Sequence, residues 1–195
     1  MSALILKMFL RILYIKSIHL NTKRIVITGG PGTGKSSLIK HLELNGLSCK
    51  QEISREIILK AREEGYEQLF LKKPLLFSEM LIEGRLKQYQ KTTAEESILY
   101  YDRGLPDVVA YLNFISLDYP ESFDELCLKY RYDSIFILPP WEEIYVQDNE
   151  RYESFDEAAA IYYHLNETYK SYQYNPIEVP PGTLIERTSF ILAHS

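Results

Sequence analysis

The run Gly29-Gly30-Pro31-Gly32-Thr33-Gly34-Lys35-Ser36-Ser37 gathers four glycines, one ammonium group and two adjacent hydroxyls into nine residues. Backbone N–H groups can cradle a polyphosphate only where no side chain holds it off, and the glycines keep that approach open. Lys35 then sets a flexible ammonium against the β- and γ-phosphates, Ser36 offers a hydroxyl to Mg²⁺, and Ser37 reaches the α-phosphate. Gly29, Gly34, Lys35 and Ser36 meet the GxxxxGK[ST] spacing of a P-loop. A turn that merely joined two elements would not call for Lys-Ser after its last glycine. The sequence therefore predicts that residues 29–37 bind a nucleoside triphosphate, ATP or GTP, together with Mg²⁺.

Phosphoryl chemistry also needs carboxylates and cations around such a cradle. Asp102 closes the apolar run Ile98-Leu99-Tyr100-Tyr101 and is the carboxylate expected beside Ser36 and its metal. Its competing role is to cap the next helix, which Asp107 could do instead. Glu52 is placed either to take a proton from an attacking hydroxyl or to stabilise the start of the helix after it, and both roles stay open. Arg151 stands among Asp148, Glu150 and other acids in an irregular stretch beyond Pro139-Pro140-Trp141. A lid there would bring Arg151 onto the transferring phosphoryl group; a surface salt bridge is the alternative.

Aromatic and charged residues elsewhere invite plainer readings. Trp141, Tyr145 and Tyr152 are candidates to stack on a base or sugar. Tyr162, Tyr169 and Tyr172 share a helical face and are expected to pack on a sheet with their hydroxyls at the surface. Glu79, Glu83, Arg85 and Gln88 are read as a solvated face of a long helix, with an acceptor pocket as the second option.

Such residues require a scaffold of a particular kind. Arg24-Ile25-Val26-Ile27-Thr28 reads as a strand entering the glycine loop, and Leu38, Ile39 and Leu42 fall at helical spacing after it. Further strands are expected at 47–53, 97–101, 134–138 and 176–180. Helices are expected at 54–64, 74–96, 106–115, 122–129, 154–172 and 183–193. Strands alternating with helices predict an α/β, three-layer fold: a five-stranded, mainly parallel sheet with helices on both faces and ligands beyond the carboxyl ends of the strands.

The chain has 195 residues and a formal charge of −5, and 25% of its residues are charged. Five of the 22 basic residues and none of the 27 acidic ones lie in residues 1–24, so the body is strongly acidic, which argues against sequence-specific nucleic-acid binding. Lys7, Arg11 and Lys16 interrupt the apolar leader, whose uncharged runs fall short of the roughly 20 residues that span a bilayer. No transmembrane segment is expected. The expected division is a basic, apolar extension over 1–22 and a P-loop domain over 23–195. Two distant cysteines, Cys49 and Cys127, suit a reducing cytoplasm.

From about Lys23 to Leu192 the chain resembles the small bacterial P-loop proteins labelled AAA-domain ATPases, relatives of the NadR nicotinamide-riboside kinase domain and more distantly of deoxynucleoside kinases. The likeness rests on Gly29 to Ser37, Glu52-Ile53-Ser54-Arg55-Glu56, Asp102-Arg103-Gly104-Leu105-Pro106-Asp107, Asp148 to Arg151, and Val179-Pro180 to Arg187. It implies a nucleoside-kinase-like fold, with Glu52 and Asp102 near the reacting phosphate and Arg103 and Arg151 as cationic partners. The implied activity is ATP- and Mg²⁺-dependent phosphotransfer to a small hydroxyl acceptor such as a nucleoside or ribosyl compound. A regulatory ATPase with slow hydrolysis and a protein partner is the alternative. The basic leader departs from the family pattern, which opens at the first strand.

Overall fold

The computed structural model describes residues 22–91, 97–145 and 154–195. Among them, β1 (Lys23–Gly29) leads into α1 (Lys35–Leu44), followed by β2 (Cys49–Lys50), α2 (Ser54–Glu63), α3 (Leu69–Lys72) and α4 (Pro74–Gln90). Then come β3 (Ile98–Asp102), α5 (Leu105–Phe114), α6 (Ser122–Lys129) and β4 (Ser134–Leu138). A short 3₁₀ turn (Glu142–Ile144), α7 (Phe155–Ser171), β5 (Ile177–Glu178) and α8 (Leu184–His194) complete the order.

The five strands form one sheet in the order β2-β3-β1-β4-β5, and every pairing is parallel. Alternation along the strands divides the core. Ile25, Ile27, Tyr100, Phe136 and Leu138 face α1 and α8, packing on Leu38, Ile39, Leu42 and Ile191. Val26, Leu99, Tyr101 and Ile135 face the other way, against Tyr132 and Tyr169, while Ile137 meets Ala110, Ile161 and Leu165. A sheet covered on both faces requires strands with apolar centres, as in Ile25 to Ile27, Leu99 to Tyr101 and Ile135 to Leu138.

The expected three-layer α/β fold is present, with differences of extent. β2 and β5 are two residues each, because only Cys49 and Lys50 pair with β3 and only Ile177 and Glu178 pair with β4. The helix expected over 74–96 ends at Gln90, and its last expected turn falls largely outside the described residues. The short helix α3 was not anticipated. Lys7, Arg11, Lys16 and the rest of residues 1–21 also lie outside the description. No helix among the described residues is long and apolar enough to cross a membrane. Cys49 and Cys127 are free thiols, and burial pushes both up to about 12.

One expectation is corrected outright. Tyr169 does pack on the sheet, but its hydroxyl is buried and donates to Asp107 Oδ2 at 2.6 Å instead of reaching the surface. Tyr172 likewise turns inward, donating to Asp124. Tyr169→Phe removes a donor from a buried carboxylate, so we expect a loss of about 1–3 kcal/mol in unfolding free energy, measured by urea denaturation. Unchanged stability would show that this bond contributes nothing to the fold.

Candidate active site

The site begins where β1 ends. The loop after Gly29 passes through two left-handed glycines, Gly32 (φ 75°) and Gly34 (φ 76°), before α1 starts at Lys35. A Cβ at Gly32 would lie 2.4 Å from the Tyr145 ring, and one at Gly34 would lie 2.9 Å from Arg187 Nη1. Glycine is thus required at Gly32 by both backbone conformation and the Tyr145 ring, and at Gly34 by backbone conformation. Arg187, on α8, donates from Nη2 to the Thr33 carbonyl at 2.9 Å, and its Nε is buried without a partner. Burial lowers its pKa.

Lys35 and Asp102 are both nearly inaccessible, at 8% and 4% exposure, and they form an ion pair. Register explains the meeting: Asp102 is the last residue of β3 and lies beside Ile27 of β1, at the strand end from which the P-loop departs. Burial and the Arg103 guanidinium push the Lys35 pKa down, while Asp102 and Glu52 pull it back up. The Ser36 and Ser37 residues are exposed at the start of α1.

A second group of charges sits beside the first. Glu52, between β2 and α2, accepts from Arg103 Nε at 2.7 Å and from Arg85 Nη2 at 3.3 and 3.4 Å. It also accepts from the backbone N–H groups of Ile53 and Ser54 at 2.9 and 3.1 Å, so helix-start stabilisation and ion pairing occur together. Burial would raise the Glu52 carboxyl, but Arg85, Arg103 and Lys35 outweigh it and hold it at about 2. Arg103 itself is left-handed, with φ 74°, a conformation that costs a non-glycine residue on the order of 1 kcal/mol. That turn accompanies a bridging role: Arg103 also donates from Nη1 to Asp107 Oδ1 at 3.2 Å. Burial opposes the Arg103 charge, but Glu52, Asp107 and Asp102 more than offset it and raise its pKa.

Asp107 takes the capping role weighed for Asp102: its Oδ2 accepts from Gly104 N at 2.8 Å at the start of α5. Arg85 corrects the first of its two sequence readings, the solvated one, and lines a cavity as in the second. It is 4% exposed, not solvated, and donates from Nη1 to the Gly104 carbonyl at 2.8 Å as well as to Glu52. The missed signal was periodic: Phe77, Leu81 and Arg85 recur every four residues, which places a guanidinium on the stripe that packs inward. Glu79 and Glu83 are exposed as expected.

A cavity of about 170 Å³ adjoins these groups, lined by Pro31 of the P-loop, by Glu52, Arg85, Arg103 and Asp107, and by apolar side chains including Phe77 and Leu81. Lys35, Glu52, Asp102 and Arg103 are therefore brought together, whereas Asp148, Glu150, Arg151 and Tyr152 lie outside the described residues. Of the stacking candidates, Tyr145 packs on Gly32 and on Phe155, with ring centroids 5.6 Å apart in the latter pair. The Arg187 guanidinium stands 5.9 Å from the Trp141 ring centre.

Known structures share this arrangement of elements. NadR in complex with NAD and AMP-PNP aligns with a TM-score of 0.66 at 15% identity, over 91% of this chain and 49% of that one, so the chain spans about half the length of NadR. Deoxyadenosine kinase from M. mycoides with bound dATP gives 0.63 at 17% identity over 88% and 98% of the two chains. Thymidylate kinase from Candida albicans gives 0.60 at 20% identity over 89% and 91%. Among curated proteins, nothing matches the sequence. A family model described as an AAA domain, AAA_28, matches residues 24–187. With that match over most of its length and a P-loop fold related to nucleoside and nucleotide kinases, the chain belongs to the AAA_28 AAA-domain family.

Proposed function

We propose that the protein transfers the γ-phosphoryl group of ATP, or of GTP, to a hydroxyl of a small acceptor such as a nucleoside or ribosyl compound. One observation carries this reading: the cavity shares Pro31 with the P-loop and Glu52 and Arg103 with the adjoining charge cluster, so an acceptor seated there lies next to the phosphate cradle. Gly29, Gly30, Pro31, Gly32, Thr33, Gly34, Lys35, Ser36 and Ser37 form the cradle, with the α1 N-terminus behind it. A regulatory ATPase acting through a protein partner would have no need of a second pocket at that position. The two free thiols suit a reducing cytoplasm as the protein's setting.

Mg²⁺ fits the donors available. Among the described residues no group of three His, Cys, Asp or Glu side chains forms a protein cage, and Ser36 with Asp102 offers hard oxygens only. That set suits an ion that keeps phosphate oxygens and waters as its remaining ligands. When bound, Mg²⁺ neutralises charge on the β- and γ-phosphate oxygens. Lys35 leaves Asp102 for the incoming phosphates. The acceptor oxygen bonds to the γ-phosphorus as the bond to the bridging oxygen breaks, and the acceptor proton passes to Glu52. A carboxylate held near 2 is a weak base, so it takes that proton late, once the acceptor oxygen has become acidic in the transition state. Arg151, from the segment beyond Tyr145, supplies positive charge to the transferring group, and Arg103 holds the Glu52 carboxylate in place.

The test is acceptor-dependent ADP release from purified protein over a panel of nucleosides and nicotinamide riboside. Stimulation well above basal hydrolysis is expected, and a flat panel favours the regulatory reading. Lys35→Ala should weaken ATP binding by about a hundredfold or more in calorimetry while far-UV circular dichroism is preserved. Unchanged affinity would remove the cradle from the mechanism.

Protonation of Glu52 yields a further expectation. Its folded pKa lies below the unfolded value, so its contribution is fully present above about pH 4.5 and is lost as pH falls toward about 2. The lowering corresponds to on the order of 3 kcal/mol. The stability gap between wild type and Glu52→Gln should be constant above about pH 5 and shrink below about pH 4. A gap independent of pH over that range would contradict the ion-pair account.

A further inference from the structure

The cavity beside the P-loop poses a question that the phosphotransferase reading leaves open, namely whether the acceptor is itself charged. A phosphomonoester brings about −1.5 to −2 charges at neutral pH, and a site that welcomes it needs cations whose charge is uncommitted. Each guanidinium here is already paired with a carboxylate. Arg103 gives Nε to Glu52 at 2.7 Å and Nη1 to Asp107 at 3.2 Å. Arg85 gives Nη2 to Glu52 and Nη1 to the Gly104 carbonyl at 2.8 Å. Two guanidiniums thus face two carboxylates, and the formal charge of the four lining groups cancels. Lys35 is paired with Asp102 and does not line this cavity.

Beyond this balanced rim the lining turns apolar, with Phe77, Leu81, Val108 and Ile161, and the polar side chains there are hydroxyls, among them Ser78 and Tyr111. Such a wall rewards a neutral body carrying hydroxyl groups, and gives a phosphate no compensation for the water it would shed.

We propose that Glu52, by holding Arg85 and Arg103 neutralised, acts as a charge filter that makes the acceptor an uncharged, hydroxylated molecule and excludes its phosphorylated forms. Arg85 is the positioning residue of this filter: it fixes the Glu52 carboxylate from α4 while Arg103 fixes it from the end of β3. The inference rests on the phosphotransferase reading for the identity of the pocket as an acceptor site, while the charge balance is independent of it.

The filter is tested by calorimetry with the P-loop filled by a non-hydrolysable ATP analogue. Nucleosides, their 5′-monophosphates and inorganic phosphate are titrated into wild type and Glu52→Gln. Wild type should bind each monophosphate at least about tenfold more weakly than its nucleoside and give no saturable phosphate signal. Glu52→Gln, which uncovers both guanidiniums, should gain at least about tenfold in phosphate and monophosphate affinity while still binding the analogue. The double variant Glu52→Gln/Arg85→Gln should lose most of that gain. A wild type that prefers monophosphates, or a folded Glu52→Gln with no gain, overturns the filter. Should Glu52→Gln not fold, the wild-type comparison alone decides. Failure of the analogue to bind would count against the phosphotransferase reading instead, and the phosphate titrations are then made in the Lys35→Ala background, whose cradle lacks its cation.

Discussion

The buried carboxylate of Asp107 is the point on which the active-site region is built. It receives the Thr28 hydroxyl from the end of β1, the Gly104 N–H at the start of α5, the Tyr169 hydroxyl from α7 and one arm of Arg103 beyond β3. Three parts of the chain far apart in sequence, the end of β1, the β3–α5 connection and α7, are fixed to one another through two oxygen atoms. A charge so enclosed is tolerable only when every lone pair has a donor, and that requirement sets where each element can sit. Thr28 immediately precedes the glycine loop, so the mouth of the phosphate cradle inherits its position from this carboxylate.

Around that anchor the ionisable groups are arranged as opposed pairs. Lys35 meets Asp102, Arg103 spans Glu52 and Asp107, and Arg85 closes on Glu52 from the helix above. Breaking one partner of such a pair leaves an uncompensated charge in a poorly solvated place, which is far costlier than removing both. The left-handed backbone of Arg103 belongs to the same logic, since its strain persists only because two carboxylates hold the guanidinium. In the proposed function, ligand entry exchanges partners within the group, phosphate taking over Lys35 from Asp102.

The cradle was legible in the sequence because its requirements are local: glycines, an ammonium and a hydroxyl at fixed spacing between a β-branched run and a helix. Asp102 and Glu52 were legible for a related reason, as carboxylates near strand ends in a fold whose ligands gather there. The burial of Arg85 was not, because a polarity pattern assigns arginine first to solvent and cannot see that Glu52 and the Gly104 carbonyl await it inside. Nor could spacing show that Tyr169 points at Asp107, 62 residues away in the chain. The brevity of β2 and β5 escaped for the opposite reason: their apolar runs are longer than the stretch over which a neighbour is close enough to pair.

Those two short strands also govern how the protein meets copies of itself. They form both margins of the sheet, and each offers a passing chain only two paired residues to extend. Growth by strand addition, the usual route by which open sheets join edge to edge into fibres, finds almost no template here. Among the described residues, the helices on the two faces offer the larger surfaces to a second copy.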